Sequence, residues 1–525
     1  MVSASTERHD DDHKAFAVES VEYNPLAEQT ALRKGVMVFF LCLAQFLDTF
    51  MNSALFAAIP PISQDLNISN ANSVWLISGY QLTFAALLLI SGRLSDLYNP
   101  KIVFTVGATL IGGLSLGGGF VRQEVPLILI RVLTGIGAAL TVPSALHLII
   151  HMFPNPASQS KAIAAFGASA ALGNVIGLII GALIVSYASW PWVFYLFSIL
   201  GFMLAIVVFV LAPSPHRPHV SAVEKALRFK RLDLFGVSML TAGLVLFIFG
   251  VTSGSVDGWS SAICLAPLIV SIFLVAAFFV YEFRLDEHYA ALPPNIWRYQ
   301  NFPILVASAL LPFMWWGTVQ LLFSWLWQEV YGWSAIIAAL HFLPLGLLGF
   351  PMNGLSSALS QKFPLKWVII AGQVVALAGT ILLPFADSEA HYWRYAFPGF
   401  CLGTSGITIM FTIINIAIFA STPPSSAGVV GAVFNCSLQL GCAAGTAIIT
   451  SIQTSVQKTR GGPTSYTGRR AGFWFLFGLL ALLTAAQLVF MKNTVPPMKN
   501  GPKEKDVDEK DTPIRSRDGS AIERA

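Results

Sequence analysis

Two residues of the chain carry chemistry that apolar surroundings make costly. Asp48 stands about halfway along the apolar run "QFLDTFMNSALFAAIPPI" (45–62), and Arg131 stands inside "LILIRVLTGIGAA" (127–139). A charged side chain at the centre of a membrane-spanning helix costs roughly 2.5–3.5 kcal/mol on insertion scales, so a chain that keeps one there has a use for it. A carboxyl at that depth can exchange a proton as its surroundings alternate between dry and wet, which a proton-coupled transport cycle requires. Counting 1.5 Å per residue from the outer ends of their helices sets Arg131 about 8 Å deep and Asp48 about 16 Å deep. The long guanidinium stem spans most of that difference, so Arg131 is expected to approach the carboxylate in one state and leave it in another. The competing reading makes both residues polar groups satisfied by neighbouring helices or backbone carbonyls.

Other groups invite chemistry less directly. In "GRLSDLYNPK" (92–101), Gly92, Arg93, Asp96 and Lys101 sit where one apolar run gives way to the next. A carboxylate in so short a turn can cap the N-terminus of a facing helix in one conformation and lose that contact in another, which would make the stretch a conformational latch. Gly173, Gly177 and Gly181 recur every four residues, a spacing that lets a second backbone approach closely and would also seal a cavity against proton leakage. Gly441 and Gly445 repeat the spacing later in the chain. Asn52, Trp315, Trp316, Gln320, Glu329, His341, Asn415 and Asn435 are polar or aromatic residues in or beside apolar runs and are candidates for lining a cavity. Trp315 and Trp316 would suit flat aromatic or cationic molecules, against a competing reading as lipid-facing or core packing, whereas Trp325 and Trp327 are expected to anchor the helix at the membrane surface. His147 and His151 have zinc-ligand spacing without a third ligand nearby and read as packing residues. Asn67 opens "NIS", an N-glycosylation sequon in a short loop.

Several functions are excluded by what the chain lacks. No GxxxxGK[ST] phosphate loop or HExxH zinc motif occurs, and the stretches between apolar runs are too short to fold a catalytic domain. The protein is expected to be no enzyme, to need no cofactor or metal, and to bind neither nucleotide nor nucleic acid. Any transport must then be driven by a gradient or be passive. Cys42, Cys264, Cys401, Cys436 and Cys442 all lie in apolar runs without a CxxC pair and read as small core residues.

The elements that position these residues follow from composition. Of 525 residues, 55% are hydrophobic and 11% charged, with a mean hydropathy of +0.68, values that belong to a membrane protein. About 20 apolar residues cross the hydrocarbon layer as a helix, and fourteen such runs occur, at 36–59, 74–91, 102–120, 126–150, 162–186, 191–212, 234–252, 262–281, 303–324, 335–357, 366–386, 396–418, 428–452 and 472–491. Barrel strands would be half as long and alternating, so the fold class is an all-α membrane protein. With the N-terminus inside, twelve basic residues face the cytoplasm (Arg93, Lys101, Lys161, Arg217, Lys225, Arg228, Lys230, Arg231, Arg284, Arg298, Lys362 and Lys366) against six outside (Arg122, Arg394, Lys458, Arg460, Arg469 and Arg470), which supports both termini in the cytoplasm. The first 35 residues hold no short apolar stretch before a cleavage site, so the first helix is expected to insert uncleaved.

The runs divide as six, two and six. The expected organisation is a disordered tail (1–35), a six-helix bundle (36–212), a basic cytoplasmic linker (213–233), two inserted helices (234–282), a connector (283–302), a second six-helix bundle (303–491) and a disordered tail (492–525). Inserting an even number of spans leaves both bundles with the same orientation, the parallel-repeat plan of a rocking secondary transporter.

Against this background, "LDTFMNSALFAAIP" (47–60) resembles the first-helix motif of the 14-helix drug:proton antiporters, a branch of the major facilitator superfamily. "GRLSDLYNPK" is similar to the superfamily's loop signature through Gly92, Asp96 and Lys101, and "LILIRVLTGIGAA" to its fourth-helix motif through Arg131, Gly135 and Gly137. "GLIIGALI" (177–184) resembles the antiporter motif of the fifth helix, with Leu178 and Ala182 where proline and glycine are usual. "SWPWVFYLFS" (189–198) and "LDLFGVSMLTAGLVLFIFGVTSG" (232–254) look like the family's sixth and inserted seventh helices, and the wording around Asp48 most resembles fungal aminotriazole-resistance exporters. The resemblance implies export of drugs, toxins or secondary metabolites from the cell in exchange for protons, by a monomer in the plasma membrane. An importing facilitator or symporter, and a non-transporting receptor or scaffold, are the alternatives; a scaffold would have no need of Asp48 and Arg131.

Overall fold

The computed structural model describes residues 26, 28–213, 233–285, 290, 292, 294–422, 427–462 and 464–493, and among them the regular elements are helices and helical turns. Most of the expected tails and of the linker lie outside the described residues, but the end of the expected N-terminal tail is helical, because the first helix begins at Ala31. The first six helices are α1 (Ala31–Leu66), α2 (Trp75–Leu97), α3 (Pro100–Phe120), α4 (Glu124–Met152), α5 (Pro156–Tyr187) and α6 (Pro191–Leu211). A pair follows, α7 (Leu234–Asp257) and α8 (Ala262–Glu282). The remainder comprises α9 (Phe302–Ala309), α10 (Leu311–Trp325), α11 (Ala335–His341), α12 (Leu343–Leu347), α13 (Gly349–Lys362), α14 (Leu365–Thr380), α15 (Phe397–Ala420), α16 (Ala427–Thr459) and α17 (Thr467–Phe490). Twelve helical stretches among the described residues are long and apolar enough to cross a membrane, and a pair bent by 44°, Ala335–His341 with Leu343–Lys362, makes a thirteenth. Beside them runs α2, 23 residues long.

Local signals set several starts. The Thr30 hydroxyl accepts the Arg33 N–H at 3.4 Å before α1, Asn99 accepts the Lys101 N–H at 3.0 Å with Pro100 opening α3, and Asp233 accepts the Gly236 N–H at 3.1 Å before α7. Several helices outrun their apolar stretches. α1 continues through Pro60 and Pro61 to Leu66, where the sequence ends the span at 59, and α16 runs to Thr459 rather than 452. Hydropathy marks the lipid slab, whereas a helix goes on satisfying its own backbone beyond it. At Asn67 the backbone turns left-handed (φ 52°) and its N–H closes α1 onto Ser63 O, so this exposed residue has a capping role besides its sequon.

Packing follows the small residues. α1 lies along α5, where a Cβ at Gly177 would meet Phe50 O at 2.6 Å and one at Gly181 would meet Ala54 Cα at 2.6 Å; Gly173 faces Phe46 in the same way, and Thr49 donates to Ala170 O at 2.8 Å. In the second half, Gly441 and Gly445 of α16 hold the same relation to Leu310 and Met314. The inserted helix α7 docks on α16 through Ser451 Oγ to Val251 O (2.6 Å), and Trp259, just beyond its end, donates Nε1 to Ser455 Oγ (3.2 Å). α8 leaves Ile269, Ile272 and Phe273 exposed, as a lipid-facing helix does. Trp325 and Trp327 correct the expectation of surface anchors: they are 0% and 2% exposed, because Trp327 packs against Phe342, Trp333 and Phe400 inside the second half. All five cysteines are free.

Gly177→Val should destabilise the protein by at least about 1–3 kcal/mol through overpacking, read as a lower midpoint of heat-induced aggregation in detergent. Gly113→Val, at a position where a Cβ meets nothing within 4 Å, should leave that midpoint unchanged.

Candidate functional site

α1 brings Asp48 and, one turn later, Asn52 to the same side of the helix, where Asn52 Nδ2 donates to Asp48 O at 3.0 Å. Both are buried. From α2, Tyr80 donates its hydroxyl to Asp48 Oδ1 at 2.5 Å. Arg131, on α4 and 1% exposed, donates Nε to Leu76 O at 2.9 Å and places its guanidinium carbon 4.5 Å from the centroid of the Tyr80 ring. The sequence expects the arginine to reach the carboxylate itself. In this structure Tyr80 stands between them, its hydroxyl on the anion and its ring face under the cation, so the two charges communicate through one aromatic side chain. Arg131 Nη2 is buried without a hydrogen-bond partner, which leaves a donor in reserve for another arrangement of these helices.

Asp48 and Asn52 open onto a cavity of about 160 Å³ between the two halves. Gln81 and Asn174 add polar groups to the first-half wall; the second half contributes, among others, Phe313, Trp316, Gln320, Asn353, Phe411 and Gln439. The aromatic rings form a compact patch: Phe313 lies 6.0 Å from Trp316, and Phe411 lies 6.2 Å from each. Asn52 Oδ1, Gln81 Oε1, Gln439 Oε1 and Trp316 Nε1 are buried without partners. Unsatisfied polar atoms are costly to bury, so whatever fills the cavity, water included, is stabilised there by hydrogen bonds to these groups and by contact with the aromatic patch.

The other expected site residues scatter. Gln320 lies in the wall and donates to Asn174 Oδ1 at 3.4 Å. Trp315 points away from it, its Nε1 donating to Thr380 Oγ1 at 2.8 Å. Glu329 accepts from Asn70. His341 sits among rings of Tyr392 (4.3 Å) and Trp333 (4.5 Å), outside the cavity. Asn415 is half-buried on α15 and does not line the cavity; Asn435 is exposed and donates to Gly431 O of its own helix. Gly92 faces open space, Lys101 lies 4.8 Å over the Phe209 ring, and the side chains of Arg93 and Asp96 lie outside the described residues. His147 and His151 stack at 4.1 Å, and among the described residues no group of three or more His, Cys, Asp or Glu could hold a metal.

Sequence reasoning misses Tyr80, Gln81, Asn174, Asn353 and Gln439. The pair Tyr80–Gln81 in "LISGYQLTF" (76–84) is a signal of the same kind as Asp48, polar residues inside an apolar run. It also places Arg469 on the outer side in the loop before the last apolar run, whereas the residue lies in the first turn of α17 and is 1% exposed.

A family model described as Major Facilitator Superfamily matches residues 41–446. The puromycin resistance protein pur8 of Streptomyces alboniger is 29% identical over 416 residues, covering 78% of this chain and 80% of that protein. The major facilitator superfamily multidrug transporter mfsC of Aspergillus fumigatus is 26% identical over 460 residues, covering 85% and 84%. Among solved structures, a bacterial homolog of the human lysosomal transporter Spinster, inward-facing and occupied, superposes with a TM-score of 0.62 at 14% identity, covering 88% of this chain and 97% of that one.

If the Tyr80 hydroxyl holds the carboxylate, Tyr80→Phe should cost about 1–3 kcal/mol in chemical or thermal unfolding, and the loss should vanish in an Asp48→Leu background. Equal losses in both backgrounds would mean that the hydroxyl acts elsewhere.

Proposed function

Because the chain belongs to the Major Facilitator Superfamily, we propose that it is an efflux transporter that exports small organic molecules by alternating access of the cavity at Asp48, driven by protons that enter as cargo leaves. The observation that carries this reading is a buried carboxylate that forms part of the cavity wall and is held by a neutral phenol. A carboxylate so held can trade its Tyr80 bond for a proton, and occupant and proton then compete for one small space. The named resistance and multidrug relatives support export. The cephamycin export protein CmcT of Amycolatopsis lactamdurans, 27% identical over 468 residues and covering 87% of this chain and 93% of that protein, supports the same reading.

The proposed mechanism assigns parts to the chain's own residues. Asp48 takes up the proton; Tyr80 links its charge to Arg131; Gly173, Gly177 and Gly181 keep α1 and α5 packed as the first half moves as a unit. Asn52, Gln81 and Gln439 accept hydrogen bonds from cargo while Trp316, Phe313 and Phe411 stack on it, which favours flat molecules that carry N–H or O–H donors. Gly92, Arg93, Asp96 and Lys101 form the latch between α2 and α3. Fourteen crossings grouped six, two and six, cytoplasmic termini, a monomeric state and a plasma-membrane location complete the proposal, with Asn67 a candidate for glycosylation.

In reconstituted vesicles, Asp48→Asn should abolish export driven by a pH gradient while the variant elutes as a single folded species. Export by the variant at the wild-type rate, or wild-type export that persists unchanged when the gradient is collapsed, would remove Asp48 and proton coupling from the mechanism.

A further inference from the structure

At the end of the bundle opposite the start of α1, polar side chains from both halves meet. Asn70, in the single helical turn Asn70–Ser73 that follows α1, donates Nδ2 to Glu329 Oε2 at 3.0 Å. Glu329 lies in the turn Leu326–Val330 after α10, nine residues beyond Gln320 of the cavity wall, which is about 13 Å along the helix. Beside it stands Arg469, whose Nη1 donates to Ser465 O at 3.2 Å and whose charge interacts with Glu329, Tyr466 and Tyr331. A guanidinium buried to 1% exposure is tolerated where hydrogen bonds and an opposite charge compensate it, and the carboxylate among these neighbours is Glu329.

The two relations of Glu329 respond differently to a rocking motion. Glu329 and Arg469 belong to the second half and travel together, so their attraction survives. Asn70 belongs to the first half, and its bond must break before the far end can open. Deeper along the same seam, Gln320 meets Asn174 and Gly346 abuts Val175, contacts between small or neutral groups. We infer that the Asn70–Glu329 hydrogen bond is the strut that keeps the far end of the cavity closed, with Arg469 positioning the carboxylate to receive it. The inference rests on the alternating-access reading and is indifferent to the cargo and to the driving ion. A neutral amide opposite a carboxylate suits a strut that must be remade every cycle: the bond is charge-assisted and directional, yet its rupture leaves Arg469 still beside Glu329.

Cys442 lines the cavity and can report on its access. In a chain whose other four cysteines are replaced by alanine, a membrane-impermeant methanethiosulfonate applied to the far face should modify Cys442 roughly tenfold faster in Asn70→Ala than in the parent, and faster still in Asn70→Asp, where two carboxylates face each other. Reaction from the opposite face should slow. Unchanged rates, or rates raised equally from both faces, would overturn the inference. If Asn70→Ala fails to fold, oxidising the double variant Asn70→Cys with Glu329→Cys should reduce far-face modification to background, with recovery on reduction; modification that persists after complete cross-linking overturns it. Failure of proton coupling would leave all of these rates untouched, so the two readings fall separately.

Discussion

A carboxylate buried at membrane depth has to be given a donor, and the way Asp48 receives one organises the first half. Tyr80 supplies the hydroxyl from α2, which commits its ring to lie flat beneath Arg131 of α4. For that geometry α4 must come very close to α2, and it does so at Gly135, where a Cβ would collide with Thr83 Oγ1 and Tyr80 O. On the other side, the glycine face of α5 lets α1 approach to backbone contact at Phe50 and Ala54. The glycines and the charged groups therefore solve one problem: small residues bring the helices close enough for a short chain of polar contacts to close around the anion.

The cavity inherits an asymmetry from this arrangement. Its first-half wall carries the carboxylate of Asp48, with Asn52 and Gln81 beside it, whereas the second half presents a patch of three aromatic rings among the uncharged amides Gln320, Asn353 and Gln439. An occupant that satisfies both walls bridges the two halves, and its binding energy then bears on their relative position, as alternating access requires. At the far end the halves meet through a different kind of contact, an amide on a carboxylate that a buried arginine steadies. The chain thus separates the cavity at Asp48 from the contact that joins the halves at the far end. The buried charges at each are matched within one half, so the moving seam crosses neutral or single-charge contacts.

Much of this was legible in the linear chain. Apolar runs of helical length announce spans because lipid offers no partner for an unpaired backbone group, and Asp48 and Arg131 stand out because charge is rare at such depth. The spacing of Gly173, Gly177 and Gly181 likewise pointed to close packing, and the structure supplies the facing residues. The expectations that went astray share a cause. Trp325 and Trp327 are expected at the membrane surface from their position along an apolar run, yet the direction in which each ring points depends on the neighbours packed around it. Trp327 fills the space under Phe342, and of the two rings considered for the cavity wall Trp316 lines it while Trp315 packs in the core against Thr380.

The sequence by itself determined that the chain is helical and membrane-embedded, and that it holds charged groups where lipid forbids them without purpose. Those properties follow from composition and period, which are local. Only the tertiary structure decided that a tyrosine links Asp48 to Arg131, that Arg469 is buried beside Glu329, and that Asn70 reaches across to the other half. Each of these joins residues far apart in the chain, and such contacts are set by which helices touch and at what rotation, quantities that no single run of residues encodes.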